Sequence, residues 1–206
     1  MISALEALER LRQGNRRFVS ESSRDGTDAN RRRRELVDRQ EPLAIILGCS
    51  DSRVPAEIVF DQGLGDLFVI RVAGNIIASS LVGSVEFAAE QFGTRLVVVL
   101  GHSGCGAVQA TLEDLERPKG SRSPNIRSIV ERIEPSVEAL LETELRNDRD
   151  KLLKKAVRAN IRASANQLRH GSPILEKLIE QNGLLVVGAE YSLETGVVDF
   201  FDGVPD

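Results

Sequence analysis

"LAIILGCSDSRVP" (43–55) joins an unbroken apolar run to a turn that carries a cysteine, an aspartate and an arginine. The run "LAIIL" (43–47) shows no polar alternation and stops at Gly48, so it reads as a strand buried on both faces, as in parallel sheets. Working outward, "DLFVIRV" (66–72) and "RLVVVLG" (95–101) predict a second and a third strand. Between these two, "SLVGSVEFAAEQFG" (80–93) predicts a helix, with Val82, Val85, Phe87, Ala89 and Phe92 available to pack and Gly93 as its stop. Leu5, Leu8, Leu11 and Phe18 recur near helical spacing, so a helix over 3–19 leads the chain. Residues 107–116 start another helix. The charged segment 117–150 is divided by Pro118, Pro124 and Pro135, which predicts short helices. Helices follow at 151–168 and 173–181, and then "LLVVGAEYS" (184–192) and "GVVDFF" (196–201) predict a strand pair at the sheet edge. Strands alternating with helices give an α/β fold with a mainly parallel central sheet flanked by helices. One domain is expected over 1–206, with residues 1–40 as an N-terminal helical arm.

Composition narrows the partners. The chain has 206 residues, 41% hydrophobic and 28% charged, which suits a globular domain with a sizeable core. A formal net charge of −4 argues against a general nucleic-acid or anionic-membrane surface. The run "RRRR" (31–34) is read accordingly as a solvated helix face or a set of ion pairs. No run reaches the roughly 20 apolar residues of a membrane helix. The opening "MISALEALERLRQGNRRF" is amphipathic without a secretory h-region. Two cysteines and no export signal predict a reducing compartment and a cytoplasmic address.

The chemistry-bearing residues fall in two clusters. Cys49, Asp51 and Arg53 follow the first strand. His102 and Cys105, in "GHSGCGA" (101–107), follow the third. Ligands of open α/β sheets sit outside the carboxyl ends of the strands, so the clusters meet there if the two strands are neighbours. Two cysteines and a histidine are donors that zinc prefers, and His-x-x-Cys supplies two ligands from one loop. Three protein ligands leave the fourth position open, the mark of a catalytic site. Cys105 also precedes a helix, whose N-terminal dipole favours a thiolate. Plainer readings stand beside this one. Each cysteine could be a small buried hydrophobe, and Asp51 with Arg53 could be a structural ion pair. The glycines of "GHSGCGA" could form a phosphate turn, but G-x-x-G-x-G is not the dinucleotide fingerprint and no Walker lysine follows. His170, in "QLRHGSP", reads as a polar helix end before glycine.

"CSDSR" followed by "GHSGCGAV", with "EIVFDQGLGDLFVIRVAGN" (57–75) between them, resembles the β-class carbonic anhydrases. The likeness runs from about residue 4 to residue 200. It implies one zinc per chain, bound by Cys49, His102 and Cys105, with Asp51 and Arg53 as a catalytic dyad. The implied reaction is reversible hydration of carbon dioxide to bicarbonate and a proton, by attack of zinc-bound hydroxide. Asp51 would accept the hydroxide's proton in a hydrogen bond, and Arg53 would keep Asp51 ionised and oriented. The resemblance offers Phe68 and Phe87 as pocket walls, Phe87 standing where relatives often carry tyrosine, and Gln40 as a polar contact from a neighbouring subunit. It also implies a homodimer or a dimer of dimers. The N-terminal helix would reach across to the partner, since the polar residues after it leave it little core of its own. Some relatives have an inhibitory bicarbonate site built on a tryptophan. Ile46 stands at that position and the chain has no tryptophan, so Arg71 and Tyr191, the other counterparts, are not expected to form it. A branch of the family hydrolyses carbonyl sulfide or carbon disulfide with the same ligands, and this is the alternative activity. A non-enzymatic zinc- or nucleotide-binding module would instead have a closed metal site or none.

Overall fold

A computed structural model describes residues 2–23, 29–116 and 123–205. In chain order its elements are α1 (Ala4–Val19), α2 (Ala29–Glu35), β1 (Ala44–Gly48), α3 (Ala56–Val59), β2 (Leu67–Arg71), α4 (Ser79–Gln91) and β3 (Leu96–His102). Then come α5 (Gly106–Glu116), α6 (Pro124–Val137), α7 (Arg149–His170), α8 (Pro173–Asn182), β4 (Leu185–Tyr191) and β5 (Val198–Asp202). The five strands lie in the order β2-β1-β3-β4-β5. Only β5 runs antiparallel, in a hairpin with β4.

This order puts the two chemical clusters side by side. After β1 the chain crosses to β2 on one side and then returns to β3 on the other, so β1 and β3 flank the reversal point. They are parallel and in register from Ile45↔Val97 to Gly48↔Leu100. Both are wholly buried, as unbroken apolar runs predict. The next residues, Cys49 on one strand and Gly101–His102 on the other, therefore emerge abreast.

Each sheet face has its own core. One is covered by α4, α5, α7 and α8 through residues such as Val85, Val108, Leu152, Ile161 and Leu175. The other is covered largely by α1. Ala4, Ala7, Leu8 and Leu11 pack there with Ile46, Val98 and Leu100 of the same chain. Leu8 and Leu11 are almost fully buried, a gain of about 2–3 kcal/mol each. The helix thus has a core of its own to join, contrary to the reading from the polar residues that follow it. The reason lies in the sheet. Among the described helices, only short α3 otherwise contributes to the cluster bearing Ile46 and Val98, and those side chains need a partner. Gly14 lets α1 approach closely, because a Cβ there would fall 1.7 Å from the Phe60 carbonyl oxygen. Asn15 then fixes the position: its Nδ2 donates to Val59 O (3.1 Å) and Gly196 O (2.8 Å), and its Oδ1 accepts from Val198 N (2.9 Å).

Two smaller expectations are refined. The arginines 31–34 lie on α2, where Arg31 and Arg32 pair with Glu35 and Arg32 also with Asp66, a solvated and ion-paired face. Pro124 starts α6 behind the Ser123 cap, but Pro135 lies within its last turns, so the helix continues for 14 residues instead of breaking. Near a C-terminus, a proline removes one intrahelical bond without ending the helix. Pro118 lies outside the described residues.

Candidate metal centre

Cys49, His102 and Cys105 converge at the carboxyl ends of β1 and β3. Their ligand atoms all lie within 4.8 Å of one another, and all three residues are buried. The cysteines are free thiols. His102 has no exposed surface. Its Nδ1 lies 3.0 Å from the Ser103 carbonyl oxygen, and a carbonyl only accepts, so Nδ1 carries the proton. That tautomer leaves a lone pair on Nε2, which is buried without a hydrogen-bond partner. A buried, unpartnered nitrogen is costly. Facing two sulfurs, it fits a metal ligand, and its Nδ1–H bond is the outer contact that orients such ligands.

The electrostatics of the two sulfurs are complementary. As thiols they share a proton: the hydrogen bond with Cys105 lowers Cys49, and the same bond, with burial, raises Cys105. The Gly74 N–H also reaches the Cys49 Sγ at 3.4 Å. Backbone N–H groups of Ala107 and Val108, in the first turn of α5, favour a Cys105 thiolate. Burial is the strongest single influence and acts to lower His102, but Cys49, the Ser103 carbonyl and Asp51 together outweigh it and the net shift is upward. A cation among these groups would displace those protons, because thiolates and a neutral imidazole are the binding forms.

Asp51 and Arg53 stand at the rim. Arg53 donates through Nε to Asp51 Oδ1 (2.9 Å) and through Nη2 to Oδ2 (2.7 Å), while its backbone N–H also reaches Oδ1 (3.0 Å). These bonds hold the Asp51 carboxyl well below the usual carboxylate range. Asp51 is mostly shielded and Arg53 half exposed, at 17% and 58% for the side chains. Asp51 Oδ2 lies 3.7 Å from His102 Nε2, so the dyad borders the three ligands. A carboxylate held by a two-pronged guanidinium beside an open-sided metal position can accept a hydrogen bond from whatever occupies that position.

The other expected residues are placed elsewhere in the chain. Gln40 is exposed and precedes the amino end of β1, whereas Cys49 follows its carboxyl end. Phe68 pairs in register with Ile45, in the amino half of the sheet. It belongs to an aromatic group with Phe87, at 6.4 Å between ring centroids, and Phe92, at 5.9 Å. Phe87 is 53% exposed. None of the three is brought to Cys49 within one chain. Arg71 is engaged at the site in a different way. Its Nε donates to Cys49 O (3.0 Å) and its Nη2 to Asp51 O (2.5 Å), so it clamps the turn. Tyr191 lies on β4, with β1 and β3 between that strand and β2, which carries Arg71. His170 is exposed at the end of α7. Sequence reading missed the Arg71 clamp and the Gly74 N–H. The glycine in "VAGN" was their only local signal.

Comparison with known proteins agrees with this geometry. The carbonic anhydrase family profile matches residues 44–198. Carbonic anhydrase 2 of Mycobacterium tuberculosis is 38% identical over 195 residues, covering 92% of this chain and 89% of that protein. A carbonic anhydrase of Mycolicibacterium smegmatis is 46% identical over 134 residues, 64% of this chain and 63% of its relative. The solved structure of the β-carbonic anhydrase CcaA superimposes with a TM-score of 0.77 at 27% identity, covering 97% of this chain and 93% of that one.

Proposed function

The chain belongs to the β class of the carbonic anhydrase family, and on that premise we propose that Cys49, His102 and Cys105 hold one zinc ion for the reversible hydration of carbon dioxide to bicarbonate and a proton. The convergence of two thiols and an unpartnered imidazole nitrogen beside the Asp51–Arg53 pair carries this reading. The donor set suits a borderline-soft, tetrahedral cation with one position left for a reactant. Bound there, zinc supplies a water acidified toward neutrality as the nucleophile.

The chain's own residues do the rest. His102 is oriented by the Ser103 carbonyl. Asp51 accepts the nucleophile's proton in a hydrogen bond, which aims its lone pair at the substrate carbon. Arg53 keeps that carboxylate ionised and, by engaging both oxygens, keeps it from turning onto the metal. Arg71 fixes the backbone on which Asp51 stands. Carbon dioxide is apolar and needs a dry wall instead of a charged clamp. Phe68 and Phe87 with Gln40 are assigned to that wall, contributed by a second copy of the chain, since each lies away from its own metal ligands. A homodimer or a dimer of dimers follows from this assignment. Two free cysteines fit a reducing, cytoplasmic setting, and among the described residues no helix is long and apolar enough to cross a membrane.

Zinc analysis combined with carbon dioxide hydration and carbonyl sulfide hydrolysis assays on one preparation tests the reading. About one zinc per chain with carbon dioxide turnover is the expected result. A metal-free active protein, or turnover of carbonyl sulfide alone, would overturn it.

A further inference from the structure

The turn that follows β2 touches all three ligand-bearing segments. Gly74 donates its N–H to Cys49 Sγ (3.4 Å). A Cβ on Gly74 would lie 3.0 Å from Ala107, two residues beyond Cys105. The Asn75 Oδ1 lies 3.4 Å from where a Cβ on Gly101 would be, one residue before His102. This turn is also conformationally unfavourable. Gly74 has φ 71° and Asn75 has φ 42°, so two successive residues are left-handed and one of them carries a side chain. The turn closes on itself through Asn75 N–H to Val72 O at 3.1 Å, but the buried Asn75 Nδ2 adds no bond of its own. Two further bonds come from α7. Asn160 Nδ2 donates to Gly74 O at 2.8 Å, and Ser164 Oγ donates to Asn75 O at 3.0 Å. Both side chains are buried, at 2% and 5% exposure, and both are polar residues one helical turn apart on the apolar face of α7. A core-facing helix gains nothing from such residues unless they have a specific partner.

We propose that Asn160 and Ser164 are positioning residues that lock the Gly74–Asn75 turn and thereby keep the Gly74 N–H on the Cys49 sulfur. The proposal rests on the zinc reading above and extends it to residues 86 and 89 positions away from the carbonyls they bind. The N–H stabilises sulfur charge and limits its movement, so loosening the turn weakens metal retention before it unfolds the protein.

The test uses the full chain loaded with zinc, and separately with cobalt(II). Ser164→Ala and Asn160→Leu are expected to speed zinc release to a chelator roughly 10- to 100-fold. They should also shift the thiolate-to-cobalt charge-transfer bands. Leu175→Ala, a buried core truncation on α8, should lower Tm with release and spectrum unchanged. Release at the wild-type rate with an unchanged spectrum in Ser164→Ala overturns the proposal, as does a Leu175→Ala protein that loses zinc equally fast. If Asn160→Leu does not fold, Ser164→Ala decides alone. A wild type that takes up no zinc sinks the metal reading itself, whereas a zinc-loaded wild type with unaffected variants sinks only this latch.

Discussion

The carboxyl and amino ends of the central strands differ in how far one chain completes them. At the carboxyl ends, Cys49, His102 and Cys105 are buried within 4.8 Å of one another, and Arg53 and Arg71 hold the turn around Asp51. Toward the amino ends, Gln40 is exposed and Phe87 is half exposed. The five residues of β1, which lie between Gln40 and Cys49 in the chain, span about 16 Å, longer than a glutamine side chain. One chain therefore gathers a candidate metal-ligand set unaided, whereas the residues proposed above for the substrate wall lie away from it, Gln40 exposed and Phe87 half exposed.

Replacing a ligand should have the largest effect. Cys105→Ser is expected to lose most of the zinc and nearly all turnover, because a neutral hydroxyl is a poor substitute for a thiolate. Full zinc and full activity in that variant, by metal analysis and stopped-flow assay, would remove the metal centre from the comparison. Next comes the rim. Asp51→Ala should keep its zinc yet lose on the order of a hundredfold in turnover. The Arg53 bonds depress the Asp51 pKa, so its contribution is present above the unfolded value of about 3.9 and is lost only as pH falls through the lower folded value. Asp51 therefore stays ionised at neutral pH, and the rise of activity toward alkali should persist in Asp51→Ala at a reduced level. A rise that disappears with Asp51 would show that the carboxylate itself titrates.

The outward residues should matter less, and only in an assembly. Gln40→Ala is expected to reduce turnover about tenfold with zinc content unchanged. Mixing Asp51→Ala and Gln40→Ala subunits should restore some activity, because a hybrid dimer contains one site with both residues intact. Absence of complementation in verified hybrids would mean that the wall is not shared between copies. The smallest effects on turnover concern α1, where the changes are read as stability. Leu8→Ala should cost about 2–5 kcal/mol by denaturant unfolding, as a core truncation. Leu5→Ala, 58% exposed on the same helix, should cost less than about 0.5 kcal/mol. A larger loss at Leu5, together with dissociation on a sizing column, would show that a partner covers this face of α1.

Strand positions were legible because an unbroken apolar run bounded by glycine or charge has few other uses. The candidate ligands and the Asp51–Arg53 pair were legible because "CSDSR" and "GHSGC" carry their chemistry within five residues each. The packing of α1 was not. The polar stretch after it suggested a helix without a core, while the need came from Ile46 and Val98, side chains on a sheet face defined only by the register of β1 and β3. Arg71 read only as the leftover counterpart of an anion site the chain was not expected to form, and its β2 position instead places it against the Cys49 and Asp51 carbonyls. Asn160 and Ser164 gave a faint sign, as polar residues on an apolar helix face, but nothing local named their partners.

By itself the sequence determined which segments are buried strands, which donors are available to a metal and which charges accompany them, since burial and spacing are written in neighbouring residues. Only the tertiary structure decided which face α1 covers, which backbone Arg71 clamps, and that β1 and β3 lie side by side so that Cys49 meets His102 and Cys105. These are relations between distant residues, set by strand order, register and the requirement that every buried face and polar group find a partner.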